Sequence, residues 1–79
     1  MLVEARIKLK AEVLDPQGEA IRRVLLGLGY GEVQQVRVGK LMLLEVEGAD
    51  AESVRHRVEE ACRELLANPV IEDFEVRLP

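Results

Sequence analysis

The chain has 79 residues, of which 48% are hydrophobic and 33% are charged, and its formal net charge is −4. This composition is typical of a folded globular chain, and no apolar run approaches the roughly 20 residues that span a bilayer. The acidic balance and the aromatic content of 3% argue against nucleic-acid binding, which needs clustered Lys and Arg and stacking surfaces.

The length predicts a single domain, residues 1–79. A domain of this size buries only about 60 to 65% of the surface that its unfolded chain exposes, and it commonly needs a disulfide, a metal or association for stability. One Cys and one His can form neither an internal disulfide nor a structural zinc site. We therefore expect self-association. The N-terminus lacks a signal-peptide pattern, so we expect a cytoplasmic protein.

The first half of the chain predicts a strand, a helix and a second strand. Apolar and charged residues alternate with a period of two along the first strand, Val3–Lys10. Asp15 is a predicted N-cap for a helix that begins at Pro16 and ends at Gly29, a left-handed C-terminal glycine. The apolar side of this helix is expected to face a core and contains Ile21, Val24, Leu25 and Leu28. The second strand is Gln34–Val38.

The second half of the chain predicts two further strands and a helix. Gly39-Lys40 is typical of a tight hairpin turn and leads into a strand, Leu41–Glu47. Asp50 then caps a helix from Ala51 to about Ala67, and the last strand is Val70–Leu78. The order β-α-β-β-α-β is the split βαβ pattern of ferredoxin-like two-layer sandwiches. We therefore predict an α+β, ferredoxin-like or related fold with two helices on one face of a mainly antiparallel sheet.

The strand Leu41–Glu47 is apolar on both faces at its start, a property of strands that are covered on both sides. If the helices cover one face of the sheet, Leu41 and Leu43 emerge on the other face beside charged residues of a neighbouring strand. An apolar patch rimmed by charge on a small domain is typical of an association surface. We predict that the sheet packs against another chain through this face.

The sequence shows no spacing typical of a catalytic or metal site. His56 and Cys62 project about 240° apart on one helix, so they cannot share a metal or act as nucleophile and base. Ser53 is the only Ser, and the chain has no Thr. Gly39-Lys40 lacks the upstream glycine and the following Ser or Thr of a phosphate-binding loop. We expect no catalytic, cofactor-binding or metal-binding residue in this chain.

Three separated blocks together resemble the PurS family, the small subunit of phosphoribosylformylglycinamidine synthase in purine biosynthesis. The blocks are VLDPQG (Val13–Gly18), EVQQVRVGK (Glu32–Lys40) and LLANPVIEDF (Leu65–Phe74). The resemblance covers essentially the whole chain in order and at matching length. It implies a non-catalytic subunit that helps to assemble a synthetase and a glutaminase subunit. Ammonia then passes between these subunits in the ATP- and glutamine-dependent conversion of formylglycinamide ribonucleotide to formylglycinamidine ribonucleotide.

The resemblance also implies the partners and cofactors. The chain would associate with itself as a dimer or tetramer, with a sheet that is shared or exchanged between protomers, and it would bind no nucleic acid or membrane. ATP, Mg and glutamine would be used by the partner subunits, and no cofactor by this chain. Where many relatives have an acidic residue after Gly39-Lys40, this chain reads Leu41-Met42-Leu43-Leu44, so its surface beside the turn is more apolar.

Position in the matching blocks and predicted exposure indicate a set of partner-interface candidates: Asp15, Gly18, Arg37, Gly39, Lys40, Leu41 and Leu43. For Asp15 and Gly18, helix capping and turn geometry remain an open alternative. A second class of function is a small ferredoxin-like regulatory module that binds a metabolite at a dimer interface. A ligand that raises the melting temperature of the isolated protein would favour this regulatory function. Restored glutamine-dependent turnover with both partner subunits would favour the accessory function.

Overall fold

The computed structural model describes all 79 residues and contains three strands, two α-helices and one π-helical turn. In chain order these elements are β1 (Leu2–Leu9), α1 (Pro16–Gly27), β2 (Gly39–Glu45), α2 (Ala51–Ala61), the π-helical turn (Cys62–Leu66) and β3 (Glu72–Arg77). The strands form one antiparallel sheet in the order β2-β1-β3. The predicted α+β class, with two helices and an antiparallel sheet, is confirmed.

One face of the sheet packs against α2 and forms the hydrophobic core. Val3, Ala5 and Ile7 of β1 are at most 2% exposed and alternate with residues on the opposite face, as the period of two predicted. From α2, Val54 and Val58 are buried against the same face. The core cluster contains Val3, Ala5, Val54, Val58, Cys62 and Val76. Burial of such aliphatic side chains stabilises the fold by about 1.5–3 kcal/mol for each large one.

The second helix begins as predicted and ends in a π-helical turn. The Asp50 carboxylate accepts hydrogen bonds from the Ser53 backbone N–H at 3.3 Å and the Ser53 hydroxyl at 2.6 Å. At the other end, the Ala67 N–H donates to the carbonyl of Cys62 at 2.9 Å. A π turn contains more residues than an α turn, so it changes which side chains share a face. Leu65, which in a regular α-helix would continue the apolar stripe of Val54, Val58 and Cys62, is therefore 81% exposed.

The predicted strand Gln34–Val38 is wrong for the single chain. Residues 34–38 have no regular secondary structure, and their one backbone hydrogen bond is donated by the Val38 N–H to Asp15. The hairpin at Gly39-Lys40 is wrong too, because both residues already lie in β2 and pair with β1. No turn separates residues 33–38, which we call the arm, from β2. The alternation of the arm indicates partial burial, but no strand of the same chain lies beside it.

The first helix forms as predicted but leaves its apolar side uncovered. It begins at Pro16, and Gly29, with φ of +100°, has the left-handed conformation that ends it. Ile21 is exposed, and the exposed fractions of Val24 and Leu28 are 63% and 68%. The prediction that this side faces a core is therefore wrong for the single chain. An apolar stripe indicates that a surface needs covering, but it does not indicate which chain covers it.

Candidate interaction surfaces

The only His and the only Cys of the chain do not share a site. No three His, Cys, Asp or Glu residues are placed to hold a metal ion, and neither α-helix is long and apolar enough to cross a bilayer. His56 is exposed on α2, whereas Cys62 is fully buried in the core. Burial raises the pKa of the Cys62 thiol and so disfavours the thiolate that nucleophilic attack or metal binding requires.

The burial of Cys62 predicts that its thiol reacts slowly. We expect the disulfide reagent dithiobis(nitrobenzoate) to modify Cys62 at least roughly 100-fold more slowly in the native protein than in the protein unfolded by guanidinium chloride. The reason is that modification of the native protein requires opening of the core. Absorbance of the released thiolate measures both rates. Equal rates in the two conditions would contradict the placement of this side chain.

The face of the sheet opposite α2, which we call the outer face, combines paired charges with an apolar strip. The register places opposite charges beside each other across β1 and β3 on this face: Glu4 by Arg77, Arg6 by Glu75, and Lys8 by Asp73. The ion pairs themselves run along the strands, with Arg6 at 3.2 Å from Glu4 and Arg77 at 2.8 Å from Glu75. Along β2 on the same face, Leu41 and Leu43 are 58% and 60% exposed, which confirms their predicted placement. Because the charges are balanced within the chain, the apolar strip is the part of this face that gains most from being covered.

Asp15 connects α1 to the arm. One carboxylate oxygen accepts a hydrogen bond from the Gly18 N–H at 2.9 Å, and the other accepts one from the Val38 N–H at 2.7 Å. The bond from Val38, followed by that from Gly18, holds the pKa of Asp15 below its ordinary value. The predicted capping role is confirmed. The second bond joins residues 23 positions apart, and nothing in the local sequence pattern indicated it.

Gly18 and Arg37 complete this contact. Gly18 is buried, and a Cβ at this position would overlap the carbonyl oxygen of Val36, so only glycine allows the arm to lie this close to α1. The Arg37 Nη2 donates a hydrogen bond of 2.9 Å to the carbonyl of Lys10, just after β1. We call Asp15, Gly18 and Arg37 the latch.

Gly39 and Lys40 lie between the latch and the outer-face strip. A Cβ at Gly39 would come within 2.7 Å of the Ile7 carbonyl oxygen, so this glycine is required for close backbone packing. The Lys40 Nζ lies 3.6 Å from the carboxylate of Glu72. The seven candidates thus divide into the latch, these two residues, and the exposed pair Leu41 and Leu43. Contact of any of them with a partner chain stays a prediction.

Two further apolar surfaces are exposed that the sequence pattern did not indicate. One is the uncovered side of α1, and the other lies in and just after the π-helical turn, where Leu65 and Val70 are exposed. Only 9 of the 79 residues are buried, and all the large buried ones belong to the sheet, α2 and the π-helical turn. The apolar periodicity of both helices was visible in the sequence, but it could not show that one helix remains uncovered within the chain.

These features define a class of protein: a small α+β domain whose exposed apolar surfaces and unpaired arm are suited to a multi-chain assembly. A sequence model of the PurS family, described as phosphoribosylformylglycinamidine (FGAM) synthase, matches residues 2–79. The chain belongs to the PurS family. The family resemblance of the three sequence blocks is thereby confirmed.

Relatives and solved structures agree with this assignment. The PurS subunits of FGAM synthase from Methanocaldococcus jannaschii and Bacillus subtilis are 46% and 47% identical to this chain over 72 residues, which is 91% of this chain and 87% and 84% of theirs. The crystal structure of M. jannaschii PurS matches with a TM-score of 0.88 at 42% identity, covering 96% of this chain and 92% of that one. A chain of Thermotoga maritima PurLQS matches with a TM-score of 0.83 at 42% identity, covering 98% and 96%.

Proposed function

We propose that this chain is the non-catalytic accessory subunit of FGAM synthase in de novo purine biosynthesis. The observation that carries this proposal is its membership of the PurS family over residues 2–79. Its relatives are subunits of FGAM synthase, and one similar chain comes from a structure of PurLQS. The chain is thus part of a ligase complex to which it contributes no reacting group.

The accessory role requires surfaces that hold two other subunits in a fixed position relative to each other. We expect these to be a synthetase and a glutaminase subunit, between which ammonia passes during conversion of formylglycinamide ribonucleotide to formylglycinamidine ribonucleotide. ATP, Mg²⁺ and glutamine are used by those subunits, and the assembly is cytoplasmic. The exposed Leu41 and Leu43 and the buried, unreactive Cys62 support this role, because alignment of two sites needs complementary surface instead of nucleophiles.

The chain also associates with itself, as a dimer or tetramer. Three features support this part of the proposal: the arm has no strand partner, β2 and β3 are both edge strands, and α1 exposes its apolar side. An unpaired sheet edge readily takes up a further strand. Pairing of the arm with an edge strand of a second copy would satisfy the backbone hydrogen-bonding groups of both. We infer that the arm is shared between protomers in this way.

Omission of this subunit is the direct test. A mixture of the synthetase and glutaminase without this chain should form FGAM from glutamine roughly tenfold more slowly or worse, because released ammonia is no longer delivered between aligned sites. FGAM formation from added ammonia should fall less, since that reaction needs no transfer between subunits. Product formation with each nitrogen source, with and without the chain, measures both effects. Equal glutamine-dependent rates would refute the accessory role.

A variant of the outer face, compared with a matched control, tests the same proposal. Leu41→Asp introduces a charge into the apolar strip and should lower glutamine-dependent turnover. Arg6→Gln, opposite Leu41 in the register, changes the charged part of the same face without placing a like charge beside Glu4 and Glu75, and it should leave turnover nearly unchanged. Circular dichroism checks that both variants remain folded. If instead a metabolite raises the melting temperature of the isolated chain and turnover does not need the chain, the regulatory alternative is favoured.

A further inference from the structure

We propose that Asp15, Gly18 and Arg37 form a latch that directs the arm toward a second copy of this chain. The inference rests on the proposed self-association, and it goes further by naming the residues that position the arm before a partner binds. They act as positioning residues, because the hydrogen bonds they make lie within their own chain.

The hydrogen bonds of Asp15 exceed what helix capping requires. At the N-cap of α2, the Asp50 carboxylate bonds only to Ser53, in the first turn of its own helix. Asp15 uses one oxygen in the same way, for Gly18, but its other oxygen binds Val38 outside the helix. Val38 provides the only hydrogen-bonded amide among residues 34–38. The direction of the arm is therefore set where it enters β2.

Two further contacts hold the arm. The backbone of Val36 lies where a Cβ of Gly18 would be, so the arm is in van der Waals contact with the first turn of α1. In addition, the Arg37 guanidinium donates a hydrogen bond to the carbonyl of Lys10 beyond the end of β1. The arm continues directly into β2, so it cannot fold back onto that strand while these contacts persist.

The properties of the held arm match the edge of a sheet in another copy. Gln35 and Arg37 are exposed while Val36 and Val38 are half-buried, the alternation of a strand with one covered face. Residues 34–37 have unpaired backbone groups, and β2 and β3 of a second copy offer unpaired edges. A latch that already restricts the arm reduces the conformational entropy lost on pairing, and so it strengthens association.

The substitution Asp15→Asn should remove the hydrogen bond to the arm while keeping the one that caps α1. Asn caps helices as well as Asp does, so its side-chain oxygen still accepts from the Gly18 N–H. The side-chain NH2 group that this substitution introduces would then face the Val38 N–H. Because both groups are donors, the hydrogen bond that holds the arm is lost. We expect the dissociation constant of the self-associated chain, measured by sedimentation equilibrium, to rise roughly tenfold or more.

Asp50→Asn is the matched control, because it makes the same change of charge and chemistry at the N-cap of α2. Its dissociation constant should stay within roughly twofold of the wild type, since the remaining oxygen still accepts from Ser53. Amide hydrogen exchange adds a local readout: in Asp15→Asn the Val38 amide should lose protection while the Gly18 amide keeps it.

The outcomes distinguish the latch from the accessory role. Unchanged association of Asp15→Asn with a protected Val38 amide, or equal weakening by Asp50→Asn, would overturn the latch while leaving glutamine-dependent turnover as the test of the accessory role. A wild-type chain that stays monomeric at all concentrations would overturn the latch together with the inferred self-association. Weaker association confined to Asp15→Asn would support the latch.

Discussion

Replacement of Gly18 by valine should weaken self-association and reduce the glutamine-dependent activity of the assembled synthase. The Cβ of any side chain at this position would overlap the carbonyl oxygen of Val36, so the arm must move away from α1. Backbone shifts forced by overpacking typically cost about 1–3 kcal/mol, which is roughly a 5- to 150-fold change in an equilibrium constant. Sedimentation equilibrium of the variant and FGAM formation from glutamine measure the two effects.

Gly27→Val is the matched control for this substitution. Gly27 lies at the last position of the same helix, and a Cβ there would meet no atom within 4 Å. The same side chain therefore adds volume to α1 without touching the arm. If Gly18→Val associates as tightly as Gly27→Val, the contact between α1 and the arm does not contribute to assembly.

Truncation of Ile7 to alanine should lower the free energy of unfolding by about 2–5 kcal/mol, the typical cost of such a truncation in a core. Ile7 is only 2% exposed and is the largest of the fully buried side chains. With so few buried residues, the domain has little stability to lose, and we expect the variant to be largely unfolded as a monomer. Urea denaturation followed by circular dichroism, at one fixed protomer concentration, measures the change.

Lys8→Ala provides the comparison for Ile7→Ala. Lys8 is the next residue of β1, but its side chain lies on the outer face and is exposed. Removal of such a surface side chain usually changes stability by no more than about 0.5 kcal/mol. A denaturation midpoint of Ile7→Ala equal to that of Lys8→Ala would contradict the assignment of Ile7 to the core.

Local elements were predictable where adjacent residues alone determine them. The carboxylates of Asp15 and Asp50 cap helices because the N–H groups they accept from lie three positions away. The alternation of β1 and the two-sided apolar character of β2 likewise placed Ile7 inside and Leu41 outside. Such features depend on the chemistry of a few consecutive residues, so a short stretch of sequence contains all the information they need.

The candidate residues were predicted, but the contact that links them was not. Asp15, Gly18 and Arg37 were proposed for contact with partners, which stays a prediction, and the structure shows that they also bond to or pack against their own chain. Capping by Asp15 followed from its position before Pro16, because the Gly18 N–H lies three residues away. The bond between Asp15 and Val38 depends on how the chain returns to α1 after many intervening residues, so no short stretch of sequence could indicate it.

By itself, the sequence determined the two helices and their N-caps, the three strands of the sheet, the face of β1 that enters the core, and the family. Only the tertiary structure decided that Gln34–Val38 has no partner within the chain and that Val24 and Leu28 of α1 remain exposed. Periodicity reports that a surface must be covered, because burial of apolar groups depends on their spacing along the chain. Which chain provides the cover depends on the packing of distant elements, and that packing is not encoded in any local pattern.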